Sequence, residues 1–266
     1  MNTLRHYLLA LQFFTRVPVT GRLADWVGFS PAMLRASAAH FPGVGLLVGL
    51  LAAAVAGGLL VLLPPVGFAP VVAAVLSTVA TVLFTGALHE DGLADVADGL
   101  GGAQDRLRAL EIMKDSRTGA FGVLALVLAV AAKVSLLALL GSIDARMLVA
   151  ALVLAHVLSR GWPLVLIRLL PYVGDAAGSK AKPMAEAIGG GALAGALAWT
   201  ALAAGAGAWL QGPAFVLAPL CASALALAWM ARLFRRRLQG FTGDCLGATQ
   251  QVCELACYLG IALAAA

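Results

Sequence analysis

Apolar positions in this chain gather into long unbroken runs. They show neither the strict alternation of half-buried strands nor the narrow apolar stripe of soluble helices. Seven runs stand out, at 43–63, 71–88, 119–140, 148–170, 188–210, 214–230 and 248–266. Each approaches the roughly 20 residues that carry a helix across the hydrocarbon core of a bilayer. Lipid offers no partner to a backbone N–H or C=O, so spanning segments close their hydrogen bonds internally, as helices. The pattern predicts an all-α integral membrane protein, a polytopic bundle of about seven transmembrane helices. No polar stretch is long enough for an appended soluble domain, so 1–266 reads as a single membrane-embedded domain. The first residues differ. "TLRHYLLALQFFTRVPV" (3–19) ends its apolar run at Arg16 and Pro18, with no small-residue cleavage site. Too short to span, it is read as an interfacial amphipathic helix. Gly45 with Gly49, and Gly191 with Gly195, are small-xxx-small pairs that let helix backbones approach closely.

Composition agrees: 62% of residues are hydrophobic and 12% charged, about half the charged fraction of a soluble domain. The basic residues fall in alternate connecting segments. Arg5, Arg16, Arg22 and Arg35 precede the first run; Arg106, Arg108, Lys114 and Arg117 follow the second; Lys180 and Lys182 follow the fourth; Arg232, Arg235, Arg236 and Arg237 follow the sixth. The intervening loops hold only Arg146, which places the N-terminus and the 89–117 segment in the cytoplasm. With the basic residues spread over four segments, the net charge of +5 argues against nucleic acid and for lipid headgroups or phosphate-bearing substrates. The four cysteines read as small apolar filler, with no disulfide on a cytoplasmic face.

One stretch breaks the pattern. "HEDGLADVADGLGG" (89–102) holds Glu90, Asp91, Asp95 and Asp98 and no Lys or Arg. If the second span continues through it as helix, Asp91, Asp95 and Asp98 share an arc of roughly 60°. Like charges a turn apart repel, and more strongly where water is scarce. A hard cation removes that cost, and Mg²⁺ suits it, since it takes one or two carboxylates, keeps waters and binds substrate phosphates. An ordinary solvated loop is the plain alternative, but the chain's other loops carry mixed charge, as "QDRLRALEIMKDSR" does. Arg106, Arg108, Lys114 and Arg117 follow at once, and cations beside a carboxylate–metal platform suit a polyphosphate. Asp115 reads equally as a ligand or base and as a helix-terminal residue. Arg160, deep in the fourth run, is either a substrate contact or a partner for a carboxylate. Asp244 reads from spacing as a helix cap that could also reach the metal site. His89 borders the cluster as a ligand, a base or a bystander.

At these residues the chain resembles the cobalamin synthase family, the adenosylcobinamide-GDP ribazoletransferases of the bacterial inner membrane. The resemblance rests on "LALQFFTRVPV" (9–19), "FPGVGLLVG" (41–49), "HEDGLADVADGLGG" (89–102), "LEIMKDSRTGAFGVLALVL" (110–128), "SRGWPLVLI" (159–167) and "GDCLGATQQ" (243–251). The segment 171–188 matches least. The resemblance implies attack of α-ribazole, or its 5′-phosphate, on adenosylcobinamide-GDP with Mg²⁺ as cofactor. GMP leaves and adenosylcobalamin or its 5′-phosphate forms. It implies Glu90, Asp91, Asp95 and Asp98 as metal ligands, with one carboxylate taking the hydroxyl proton. It places Arg16, Lys114 and Arg117 on phosphates and Asp115 and Asp244 as residues that orient the site. His89 and Arg160 complete the substrate-binding set. Two other classes stay open. A CDP-alcohol phosphotransferase also clusters aspartates at a helix end, with a longer spacing and an Arg where this chain has Asp95. A transporter would place more of its titratable residues at mid-bilayer. The oligomeric state, a homo-oligomer included, is left open by the sequence.

Overall fold

The computed structural model describes residues 2–174 and 188–265; most of the 171–188 segment therefore lies outside the described residues. The long apolar runs are helices: α4 (Phe41–Leu62), α5 (Ala69–Thr85), α8 (Ala120–Ile143), α9 (Ala145–Leu169), α10 (Gly190–Gln211) and α11 (Ala214–Arg237). α12 (Gly243–Ala264) follows them. Among the described residues five helices are long and apolar enough to cross a membrane, or up to six when α5 and the helix after it count as one broken span. That is fewer than the seven expected. The difference lies at α12, whose first half carries Asp244, Gln250, Gln251 and Glu254; it is present as a helix but too polar to qualify on composition.

Burial sorts the helices into centre and rim. The most apolar window of α9 is 72% buried inside the protein, against 22% for α8 and 17% for α10, so α9 is a central post and the others turn most of their surface outward. α4 packs along α9 through the expected glycine pair. A Cβ on Gly45 would run into the His156 carbonyl, and one on Gly49 would stand 2.8 Å from Val153 Cα. The second pair holds only in part: Gly195 abuts Ala39, while Gly191 faces open space. α12 lies against α11, α9 and α6 (Leu88–Gly102), with Gly260 set against Pro219 of α11.

The N-terminal segment is three short helices, α1 (Asn2–Phe14), α2 (Gly21–Val27) and α3 (Pro31–Ser37), the last running through a 3₁₀ turn into α4. α1 buries Leu9, Ala10 and Leu11 against the bundle, so part of the amphipathic face expected to meet lipid is covered by protein. Just after α1, Arg16 reaches the junction of α5 and α6.

That junction departs most from expectation. The acidic helix does not continue the second span; α5 and α6 meet at 90°. Gly86 (φ +70°) and Ala87 (φ +58°) both adopt the left-handed conformation, which glycine takes readily and alanine only at a cost. The Arg16 N–H donates to the Phe84 carbonyl (2.8 Å), and the Arg16 side chain lies where a Cβ on Gly86 would sit. α6 thus lies across one end of the bundle, against the first turns of α8 and α12.

Candidate active site

α6 is held in place by close backbone approaches on two sides. On one, Gly92 admits α12 so closely that a Cβ there would stand 2.8 Å from the Asp244 carbonyl oxygen, and Gly247 lies against His89. On the other, Asp98 turns its carboxylate onto the first turn of α8. One oxygen accepts the Gly119 N–H (2.7 Å) and the other the Gly122 N–H (2.8 Å). Helix N-termini leave backbone donors unpaired and favour negative charge. The "TGAFG" stretch supplies those donors, and its glycines leave room for the carboxylate. The glycines in the last turn of α6 let neighbours press in: Gly99 meets Ala109 of α7 (Arg106–Ile112) and Met113 just after it, and Gly101 meets the Phe121 ring.

The same packing assembles a cavity of about 1390 Å³ at this end of the bundle. Arg16, His89, Asp91, Lys114, Arg160 and Asp244 line it. Phe13, Phe14, Phe41 and Tyr172 give it an aromatic wall, with Phe14 stacked on His89 at 5.6 Å. Of the remaining residues expected at the site, Asp95 is half-buried and outside the lining. Glu90 accepts from Gln251 Nε2 (3.1 Å), and its other oxygen is buried without a partner. Asp115 and Arg117 stand outside the lining and pair with each other, the Arg117 Nε donating to Asp115 Oδ1 at 3.0 Å; that guanidinium holds the exposed Asp115 carboxyl down at about 2. Arg106 donates to the Leu238 carbonyl (2.6 Å) and Arg108 pairs with Glu111, so among the basic residues after the acidic cluster Lys114 is the one that reaches the cavity.

Asp91, Asp95 and Asp244 form an electrostatic unit. Burial, then the charges of Asp244, Asp91 and Asp98, push Asp95 up to about 7. Asp244 is raised by burial and by Asp91. Among the described residues no Lys or Arg forms an ion pair with any of the three. Nor do three or more His, Cys, Asp or Glu side chains converge tightly enough to chelate an ion unaided. That suits a cation which takes few protein ligands and is completed by water and substrate.

The sequence reading missed a buried polar seam on α12. Glu254 is bonded by Lys133 Nζ (2.6 Å), Gln250 Nε2 (2.6 Å), Tyr258 Oη (3.2 Å) and His156 Nδ1 (3.3 Å). Gln251 links Gln250 to Glu90. The signal was present: Gln250, Glu254 and Tyr258 recur every fourth residue, one face of a helix. His156, isolated in the sequence, is a member of this seam.

The fold and the cavity define a polytopic helical membrane protein with an acidic helix and a cation-bearing pocket at one end of the bundle. That is the plan of a membrane enzyme for an anionic, partly apolar substrate. The chain belongs to the cobalamin-5-phosphate synthase family, whose model matches residues 6–262. It is similar to proteins named adenosylcobinamide-GDP ribazoletransferase: 61% identical to that of Albidiferax ferrireducens over 98% of both chains. It is 50% identical to that of Leptothrix cholodnii over 96% of this chain and 94% of the relative. For Shewanella amazonensis the figures are 43%, 97% and 94%. No solved structure matches the chain. Membership selects the first of the three readings of the sequence over the CDP-alcohol phosphotransferase and the transporter.

Proposed function

We propose that this chain transfers the adenosylcobinamide-phosphate group from adenosylcobinamide-GDP to α-ribazole or its 5′-phosphate, releasing GMP. A ribose hydroxyl oxygen forms the new bond to the phosphorus beside the cobinamide arm. The bond from that phosphorus to the GMP oxygen breaks, and the hydroxyl proton passes to a carboxylate. The family membership carries this reading, and the cavity supports it. Its aromatic wall suits a flat base, its cations suit a pyrophosphate, and its place at the end of a lipid-embedded bundle suits a large amphiphilic corrinoid. The acidic end faces the cytoplasm of the bacterial inner membrane in this reading, as the distribution of Arg and Lys predicts.

Asp91, Asp95 and Asp244 would hold Mg²⁺, which when bound supplies a Lewis acid for the pyrophosphate oxygens. Three mutually repelling carboxylates with no ion-pair partner among the described residues are the observation that fits it. Arg16, Lys114 and Arg160, which line the cavity, orient the phosphates and take up charge as the GMP oxygen leaves. Asp98 keeps α6 and α8 in register, and Glu90 is held by Gln251 on the side toward the polar seam. Asp115 fixes Arg117 outside the cavity lining. Incubating the purified protein in liposomes with adenosylcobinamide-GDP, α-ribazole and Mg²⁺ tests the proposal. Cobalamin by mass together with GMP is expected; GMP release without cobalamin, or no reaction, rejects it.

A further inference from the structure

The buried seam holds more positive than negative charge. Lys133, Arg160 and Glu254 are all buried, and burial of a charge is costly unless it is paired. Glu254 is saturated: each carboxylate oxygen has two partners, and the one cation among them is Lys133. Arg160, the second buried cation, forms no ion pair among the described residues. Its Nη1 donates to the His156 carbonyl (3.1 Å) and lies 3.0 Å from His156 Nδ1, while its Nε is buried without a partner. Glu90, the other carboxylate whose field reaches Arg160, bonds Gln251 through Oε1, and its buried Oε2 reaches neither Arg160 nor any other described partner. Arg160 also lines the cavity. A guanidinium so placed has one unmet need, an anionic oxygen from the cavity.

Glu254 is nevertheless Arg160's neighbour, since both touch His156 Nδ1. The carboxylate would take the guanidinium for itself if it were not already neutralised. We infer that Lys133 is a positioning residue that neutralises Glu254 and so keeps Arg160 uncommitted for a phosphoryl oxygen of the substrate. His156, with its Nδ1 between the two, and Gln250 hold the carboxylate on the far side of the seam. The inference rests on the proposed substrate and assigns Lys133, a residue on α8 outside the cavity lining, a part in its recognition.

The test compares full-length wild type, Lys133→Met, Lys133→Arg and Lys133→Met/Glu254→Gln in liposomes. Equilibrium binding of adenosylcobinamide-GDP is measured by intrinsic fluorescence, and turnover separately. Lys133→Met is expected to weaken binding by about tenfold or more, the scale of a lost charge-assisted hydrogen bond, with a smaller change in kcat. Lys133→Arg is expected to keep wild-type binding. The double variant removes Glu254 as a competitor for Arg160 and is expected to recover binding to within about threefold of wild type. Wild-type affinity in Lys133→Met, or a double variant as weak as the single one, overturns the inference. Should Lys133→Met fail to insert, the double variant decides on the same criterion. Wild-type binding without turnover would reject the proposed reaction while leaving this inference to be judged on affinity. A wild type that does not bind adenosylcobinamide-GDP overturns both.

Discussion

Asp98 separates two roles that the sequence could not distinguish, and replacing it by Asn measures the difference. The carboxylate accepts the Gly119 and Gly122 N–H groups at 2.7 and 2.8 Å. Asparagine keeps one acceptor oxygen and turns an NH₂ group toward the other N–H. One charge-assisted bond of about 1.5–3 kcal/mol is lost and a backbone donor is orphaned. The expected loss of stability is about 2–3 kcal/mol, or roughly 4–12 °C in Tm for a chain of this size. The protein carries its own reporter: Cys245, Cys253 and Cys257 are fully buried, so a thiol-reactive dye in a Cys221→Ala background follows unfolding in detergent. Asp98→Asn should lower Tm by the same amount with Mg²⁺ and with EDTA. Asp91→Asn should behave oppositely. It removes a negative charge facing Asp95 and Asp244, so Tm in EDTA should hold or rise, while the stabilisation given by Mg²⁺ disappears. An Asp98→Asn protein with wild-type Tm in EDTA and no response to Mg²⁺ would refute the capping role and return Asp98 to the cation.

Three further outcomes follow from the geometry. Gly92→Leu drives a side chain into the Asp244 backbone, separates α6 from α12, and should cut GMP release by more than about tenfold while Asp95→Asn abolishes it. Because Asp95 is raised to about 7, a proton competes with the cation: the Mg²⁺ concentration for half-maximal turnover should fall as pH rises from 6 to 8. In the cation-free protein, stability should decline over the same range as the carboxylate ionises, and Asp95→Asn should flatten both trends. Asp115→Ala frees an exposed guanidinium, and should change substrate affinity by less than about fivefold and leave Tm unmoved.

Much of the molecule was legible in its sequence because lipid imposes a simple rule. Runs of apolar residues had to be helices, and the expected ends of α4, α8, α9 and α10 lie within a few residues of the observed ones. α12 was found as a helix for the wrong reason: its apolar half was read and its polar half overlooked, although the latter faces the centre of the bundle. The break between α5 and α6 was not legible, since Gly86–Ala87 carries no proline and Ala87 adopts a conformation disfavoured for its type. The acidic cluster was located, and Arg16, His89, Asp91, Lys114, Arg160 and Asp244 meet at one cavity. Spacing alone cannot say which carboxylate meets a neighbouring helix. Asp98 shares an arc with Asp91 on an isolated helix and parts from it only because α8 arrives with bare N–H groups. The Lys133–Glu254 contact joins residues 121 positions apart, and no local pattern encodes it.

The central claim is that Asp91, Asp95 and Asp244 grip a divalent ion that bridges to the nucleotide pyrophosphate. Electron paramagnetic resonance of Mn²⁺ with the liposome-embedded protein tests it directly. The account predicts bound Mn²⁺ that Mg²⁺ displaces, that tightens when adenosylcobinamide-GDP is added, and that vanishes in Asp91→Asn/Asp244→Asn. Mn²⁺ retained undiminished by that variant, or turnover undisturbed by EDTA in the wild type, would contradict it.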